Sequence, residues 1–302
     1  MIKRAYQPCA HCGGHIVAQS DDDHGTFEPD DLYLNLLKKV FKGDIKTENG
    51  VPAELDMPTT IDTAKTFMKG VFEGFGGDFS AFAYDTPDYN KLAHIERNVY
   101  QFNGAKNWQM LRDLTDAIKE GDKILPFSEF KNKALTILEE YQGNWLRTEY
   151  NAAIAGSQMA SKWVDFEKGV TLSRAEGRPE PLLEYRTMED DRVRDEHAEL
   201  NNITRPVNDA FWNTYYPPNG WNCRCTVIRI NEGTATVAGK MEYPDIPKMF
   251  QVNLAKEGLV FPKGSAYFTD LPKEIKAQVN TLAPDRSAKP KRKRNEPLQS
   301  TA

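Results

Sequence analysis

The chain holds four cysteines, and they fall into two tight pairs. Cys9 and Cys12 lie in PCAHCGGH, residues 8–15, and Cys223 and Cys225 lie in PPNGWNCRCTVIRI, residues 217–230. Thiolates this close together chelate soft divalent cations. The first pair has the C-x2-C spacing of a zinc knuckle, with Gly13 allowing the tight turn behind it. In an extended segment side chains alternate, so Cys223 and Cys225 turn both sulfurs to one side. Together the pairs would close a four-thiolate site for one zinc ion, joining residues about two hundred positions apart. His197 is a competing ligand, as are His11 and His15. The plainer alternative is four buried, reduced cysteines, because cysteine is often fully buried.

A second group of chemistry-bearing residues runs through Arg186, Asp190, Arg192, Arg194 and His197 and continues at Arg224. A histidine near carboxylates suits acid–base work. Buried guanidinium, however, needs carboxylate partners, and the favoured reading is a structural polar network that pins an irregular segment. No Ser-His-Asp spacing, phosphate-cradling glycine loop or HExxH run occurs, so no catalytic residue is assigned and no enzyme is expected. The competing reading is a metal-dependent hydrolase or nuclease built on His197 and nearby carboxylates. That reading needs an open metal position, whereas a site of four thiolates is closed. Far downstream, Lys289, Lys291, Arg292, Lys293 and Arg294 make a basic run. Its phosphate affinity would be meaningful only at low salt, and a solvated tail is the alternative.

Composition frames these groups. With 39% hydrophobic and 27% charged residues among 302, the chain reads as soluble and globular. No run of about 18 apolar residues is present, so no membrane-spanning helix is expected. MIKRAYQPC lacks the apolar stretch of a secretory signal, which points to the cytosol, where thiols stay reduced and metal ligation outranks disulfides. A net charge of −5 does not mark the whole chain as a nucleic-acid binder.

Hydrophobic spacing gives the elements that must carry these residues. Tyr33, Leu36, Leu37 and Val40 predict a helix stopped by Gly43. Ile61, Ala64, Met68, Val71 and Phe75 predict another, capped by Thr59 or Thr60 and ended by the glycines of GFGGD. Thr86-Pro87 starts a helix expected to close at Gly104, and Trp108, Leu111, Leu114 and Ile118 predict a further one closed by Gly121. Ser128 opens a long segment through Trp145 and RTEYNAAIAGSQMASKW, with Gly143 and Gly156 as places for a kink or break. After Gly169, PLLEYRT, CTVIRI and TATVAG read as short strands with irregular connections. Pro217-Pro218 removes two donors and keeps its segment out of a sheet interior. The fold class is therefore α+β. The expected organisation is a cysteine knuckle and acidic loop at 1–28, a mainly helical region at 29–168, a module at 169–286 and a basic flexible tail at 287–302.

Residues 185–225 read YRTMEDDRVRDEHAELNNITRPVNDAFWNTYYPPNGWNCRC. Tyr185-Arg186-Thr187, then Asp190, Arg192, Val193, Arg194 and His197, then Phe211-Trp212, Pro217-Pro218, Gly220-Trp221 and Cys223-Arg224-Cys225 stand in an order and spacing that resembles the phage Mu F-like family of minor head proteins, also called phage head morphogenesis proteins. RTEYNAA at 147–153 and MFQVNLAKEGLVFPKGSAYF at 249–268 extend the resemblance to about 145–270. CAHCGG is not part of it, and Asn201-Asn202 stands where a glycine-containing turn is common. The resemblance implies a compact, irregular α+β module in a virion structural protein. It implies a minor head component acting near the portal, with the portal or major capsid protein as partner and packaged DNA as a contact of the tail. Its implied location is the virion head, after assembly in the host cytoplasm. Such domains also precede toxin domains, but only about 30 residues follow the matching segment, too few for a folded effector.

Overall fold

A computed structural model describes residues 28–230, 233–236 and 242–289, together with the backbone of two short paired strands, Tyr6–Gln7 and His15–Ile16. Helix α1, Asp31–Lys42, is capped by the Asp30 side chain and ended by Gly43 at φ 75°, where a left-handed residue lets the Gly43 amide reach back to the helix carbonyls. Helix α2 is Met57–Phe75. Its cap is Asp56, not Thr59 or Thr60. The Asp56 carboxylate accepts the Thr59 amide at 3.1 Å, and both threonine hydroxyls turn back to the Asp56 carbonyl at 3.2 and 2.8 Å. The threonines are thus already inside the first turn.

Helix α3, Pro87–Asp116, starts at the expected Thr86 cap and runs 30 residues, fusing the two helices expected on either side of Gly104. Helix α4, Phe127–Leu138, passes through a π-helical turn, Glu139–Asn144, into α5, Trp145–Ala175. Gly143 falls in that turn, while Gly156 lies inside α5 without breaking it.

Three strands follow: β1, Leu182–Arg186; β2, Thr204–Pro206; and β3, Thr226–Ile230. All pairings are antiparallel, in the order β2-β1-β3, and Arg186 lies opposite Thr226. Strand β2 was not legible in the sequence, because Arg205 and Pro206 interrupt the apolar alternation. The strand expected in TATVAG is not found at residues 233–236, and 237–241 lie outside the described residues. Thr236 nevertheless bonds along the outer edge of β2, its amide donating to the Thr204 carbonyl at 2.9 Å and its hydroxyl oxygen accepting the Thr204 amide at 3.0 Å. Short helices α6, Asp195–Ala198, and α7, Phe211–Tyr215, connect the strands. Helices α8, Leu254–Glu257, and α9, Lys273–Asn280, follow them.

Helices α2, α3 and α5 share their apolar faces with the sheet. Phe67, Phe102, Ala153, Trp163, Tyr185 and Phe261 belong to one buried cluster, in which the Phe102 and Phe261 rings stack with centroids 3.9 Å apart. The cluster joins residues on both sides of Gly169, and α5 runs through that point. Helices α1 and α4 close a second cluster against Met110, Leu111 and Leu114 of α3.

Two glycines explain how closely the helices approach. A Cβ on Gly74 of α2 would lie 2.2 Å from the Ile154 carbonyl oxygen of α5. A Cβ on Gly104 would lie 2.5 Å from a Leu282 methyl and 3.0 Å from one of Val279. Gly104 therefore makes room for the segment around α9, which is why it sits in mid-helix instead of ending one.

Residues 253–286 fold back along α3. The Asn98 side chain donates to the Phe261 carbonyl at 3.0 Å and accepts the Val260 and Phe261 amides at 2.9 and 2.8 Å. Arg286 donates twice to the Glu96 carboxylate, at 2.7 and 2.8 Å. Between α3 and α5, Lys106 is paired with Glu149, and the Tyr267 hydroxyl donates to the same carboxylate at 2.8 Å. Among the described residues no helix is long and apolar enough to cross a membrane.

Candidate metal centre

The end of β1 and the start of β3 face each other, since Arg186 pairs with Thr226. The chain leaving β1 makes one helical turn, α6, which begins with the Arg194 carbonyl accepting the His197 and Ala198 amides at 2.9 Å each. That turn buries His197, which is 2% exposed. The chain entering β3 comes from the Pro217-Pro218 segment through a turn at Asn222, φ 55°, with the Cys223 amide bonded to the Gly220 carbonyl at 3.2 Å. Cys223 and Cys225 thus arrive just ahead of Thr226, as a lead-in to the strand.

These two arms bring three side chains together. Among the described residues, His197, Cys223 and Cys225 converge as a set of potential metal ligands, with all ligand atoms within 4.8 Å of one another. His197 Nδ1 lies 3.7 Å from Cys223 Sγ and 3.6 Å from Cys225 Sγ. The other ring nitrogen, Nε2, is buried without a protein partner. Beneath the cluster, the Tyr185 hydroxyl donates to Asn219 Oδ1 at 2.9 Å, with both side chains fully buried.

Electrostatics follow from this crowding. The Cys225 thiol donating to Cys223 holds Cys223 well below the usual thiol range, against burial and helped by His197. Cys225 is pushed up for the converse reason, its proton serving the Cys223 thiolate, with burial adding to the effect. Burial opposes ionisation of His197, but the hydrogen bond and charge of Cys223 outweigh it and raise His197. Burial, then the charges of the two sulfurs, push Tyr185 well up. Two adjacent thiolates repel, so the pair shares one proton unless a cation compensates both.

Asp190 and Arg224 form a two-pronged pair, Oδ2 to Nη1 at 2.6 Å and Oδ1 to Nη2 at 2.5 Å. Arg192 adds a looser contact to Asp190 at 3.8 Å and donates its backbone amide to it at 3.2 Å. Arg194 donates to the Trp221 carbonyl at 2.7 Å. Arg186 stands apart, on Glu184 at 2.5 Å and Asn202 at 2.8 Å. The polar residues thus form several local pairings around the cysteine turn, and the carboxylate of Asp190 is spent on Arg224.

Cys9, Cys12 and His11, the side chain of His15, and the basic residues Lys291, Arg292, Lys293 and Arg294 lie outside the described residues. Lys289 is exposed. Sequence reasoning passed over Tyr185 and Asn219 as supports of the site, although both stand inside the quoted motif. Their signal is a tyrosine at an inward strand position, whose hydroxyl needs a buried acceptor.

Residues 109–228 match the family model described as Phage Mu protein F like protein, and this stretch holds the whole cluster. Over 47 residues the chain is 53% identical to the putative capsid assembly protein F of Escherichia phage Mu, covering 16% of this chain and 11% of that protein. Over 53 residues it is 38% identical to the Mu-like prophage FluMu F protein of Haemophilus influenzae, covering 18% of this chain and 13% of that protein. The matches therefore span about a tenth of these relatives' lengths. No solved structure matches.

Proposed function

The chain is Mu protein F-like over residues 109–228, and on that premise we propose that it acts in phage head morphogenesis as a minor structural component. The observation that carries this reading is the family match over residues 109–228, beside 53% identity over 47 residues to the putative capsid assembly protein F of Escherichia phage Mu. On this reading its partners are the portal or the major capsid protein, and it resides in the head after assembly in the host cytoplasm. On the same reading the basic run from Lys289 onward is a contact for packaged DNA.

A non-catalytic role fits the cluster's chemistry. A hydrolase at His197 would need a free carboxylate beside it as general base. The Asp190 carboxylate is held by Arg224, and the converging set of His197, Cys223 and Cys225 contains no acid. The test is mass spectrometry of purified proheads and virions after infection or prophage induction. The protein is expected in the head fraction, in few copies. Recovery only as a free species, with normal heads assembling in its absence, refutes the proposal.

A further inference from the structure

From His197, Cys223 and Cys225 we infer that this chain binds one zinc ion through three of its own side chains, with solvent as the fourth ligand. The inference is independent of the head-assembly reading.

Distances carry the argument. A tetrahedral zinc with sulfur ligands at about 2.3 Å and a nitrogen ligand at about 2.0–2.1 Å sets each sulfur about 3.5 Å from the nitrogen. The two observed separations, 3.7 and 3.6 Å, lie within about 0.2 Å of that value. Hydrogen bonding alone does not account for the symmetry. A neutral ring nitrogen offers either one lone pair or one N–H, and so serves one sulfur well, not two. A cation set between the three atoms serves all of them. Two thiolates and an imidazole are also the donor set that favours zinc over magnesium, calcium or manganese. Zinc and two thiolates sum to zero charge, which suits a site with Cys223 and His197 buried.

Local architecture supports ligation over simple burial. The arms holding the ligands are irregular, a single helical turn and a proline-bounded turn, joined by no sheet ladder of their own. Ligation would fix them to each other. A small cleft of about 10 Å³ adjoins the cluster, lined in part by His197, Asn222, Cys223 and Cys225. That is room for about one water. With His197 on one corner of the tetrahedron, only one corner remains. The pair Cys9 and Cys12 cannot both enter, which changes the four-cysteine set expected from spacing alone.

The test is metal analysis of the full chain purified without chelator, followed by cobalt substitution. The expected result is one zinc per chain, replaced by one cobalt with a thiolate-to-metal charge-transfer band. Cys223→Ser and Cys225→Ser should each lose the ion, and the double variant Cys9→Ser/Cys12→Ser should keep it. Should the serine variants fold poorly, the wild-type protein supplies the second readout. Stripped of metal, it should regain thermal stability on adding zinc and not on adding magnesium. A wild-type chain that takes up no zinc overturns the inference. So does retention of the ion by Cys225→Ser, or its loss from the Cys9/Cys12 variant.

Discussion

Lys106→Met tests whether a buried charge pair holds α3 against α5. The Lys106 side chain is 2% exposed and that of Glu149 5%, and the ammonium also lies 5.8 and 6.0 Å from the Phe67 and Tyr267 ring centroids. Methionine fills much the same volume among those rings, so packing loss is small. What remains is a buried carboxylate that, among the described residues, keeps the hydrogen bond from Tyr267. Removing one partner of such a pair costs about 3–5 kcal/mol. At about 2 °C per kcal/mol for a chain of this length, the melting temperature should fall by about 6–10 °C. Lys106→Met/Glu149→Met removes both charges and strands only the Tyr267 hydroxyl, so its cost should drop to about 1–2 kcal/mol. Burial raises the Glu149 carboxyl, while Lys106 lowers it. Without Lys106 the folded-state value rises further above the unfolded one. The penalty in the single variant should therefore be small at acid pH, where the carboxyl is neutral in both states, and grow as pH rises through the glutamate range. Urea unfolding of both variants at several pH values reads all of this. A single variant costing less than about 1 kcal/mol, or a double variant costing more than the single, refutes the reasoning.

Gly74→Ala should cost at least about 1–3 kcal/mol, because its Cβ meets the Ile154 carbonyl of α5, a backbone atom that cannot swing away. The same change at Gly169, inside α5 with the flexible Arg229 guanidinium at 3.2 Å and Pro181 at ordinary contact distance, 3.9 Å, should instead stabilise by about 0.5–1 kcal/mol, and calorimetry of the two variants checks the contrast. Arg224→Met should cost about 1 kcal/mol at neutral pH, since the pair it breaks is partly exposed on the Asp190 side. The Arg224 hydrogen bonds hold the Asp190 carboxyl below the ordinary aspartate range. Their contribution is present above the unfolded aspartate value and is lost as pH falls through the folded one. The two proteins should therefore converge in stability on acidification, as denaturation at stepped pH will show.

Local rules made much of this architecture readable. Thr86-Pro87 and Gly43 mark real helix ends because caps and left-handed glycines act within a turn of where they stand. Gly104 misled because its cause is remote: a segment more than 170 residues later packs on it. Asn98, Lys106 and Glu149 were passed over for the same reason, being polar residues on helices whose partners lie elsewhere in the chain. At the site, residue types and the C-x-C spacing pointed to ligation. The approach of His197 to the two sulfurs did not follow from spacing, because it depends on the register that sets Arg186 opposite Thr226.

Asn98 has a consequence for how the protein is made. Its carboxamide waits on helix α3 for the amides of Val260 and Phe261, and Glu96, two residues earlier, waits for Arg286. During synthesis a ribosome therefore exposes α2, α3 and α5 well before the strand of chain that covers them exists. Until then Phe102 lacks the Phe261 ring it stacks on, and the nascent chain presents an unsealed apolar face. That face cannot be sealed until residues 260–286 have left the ribosome, and the interval before then is when the nascent chain is most exposed to aggregation and most dependent on chaperones.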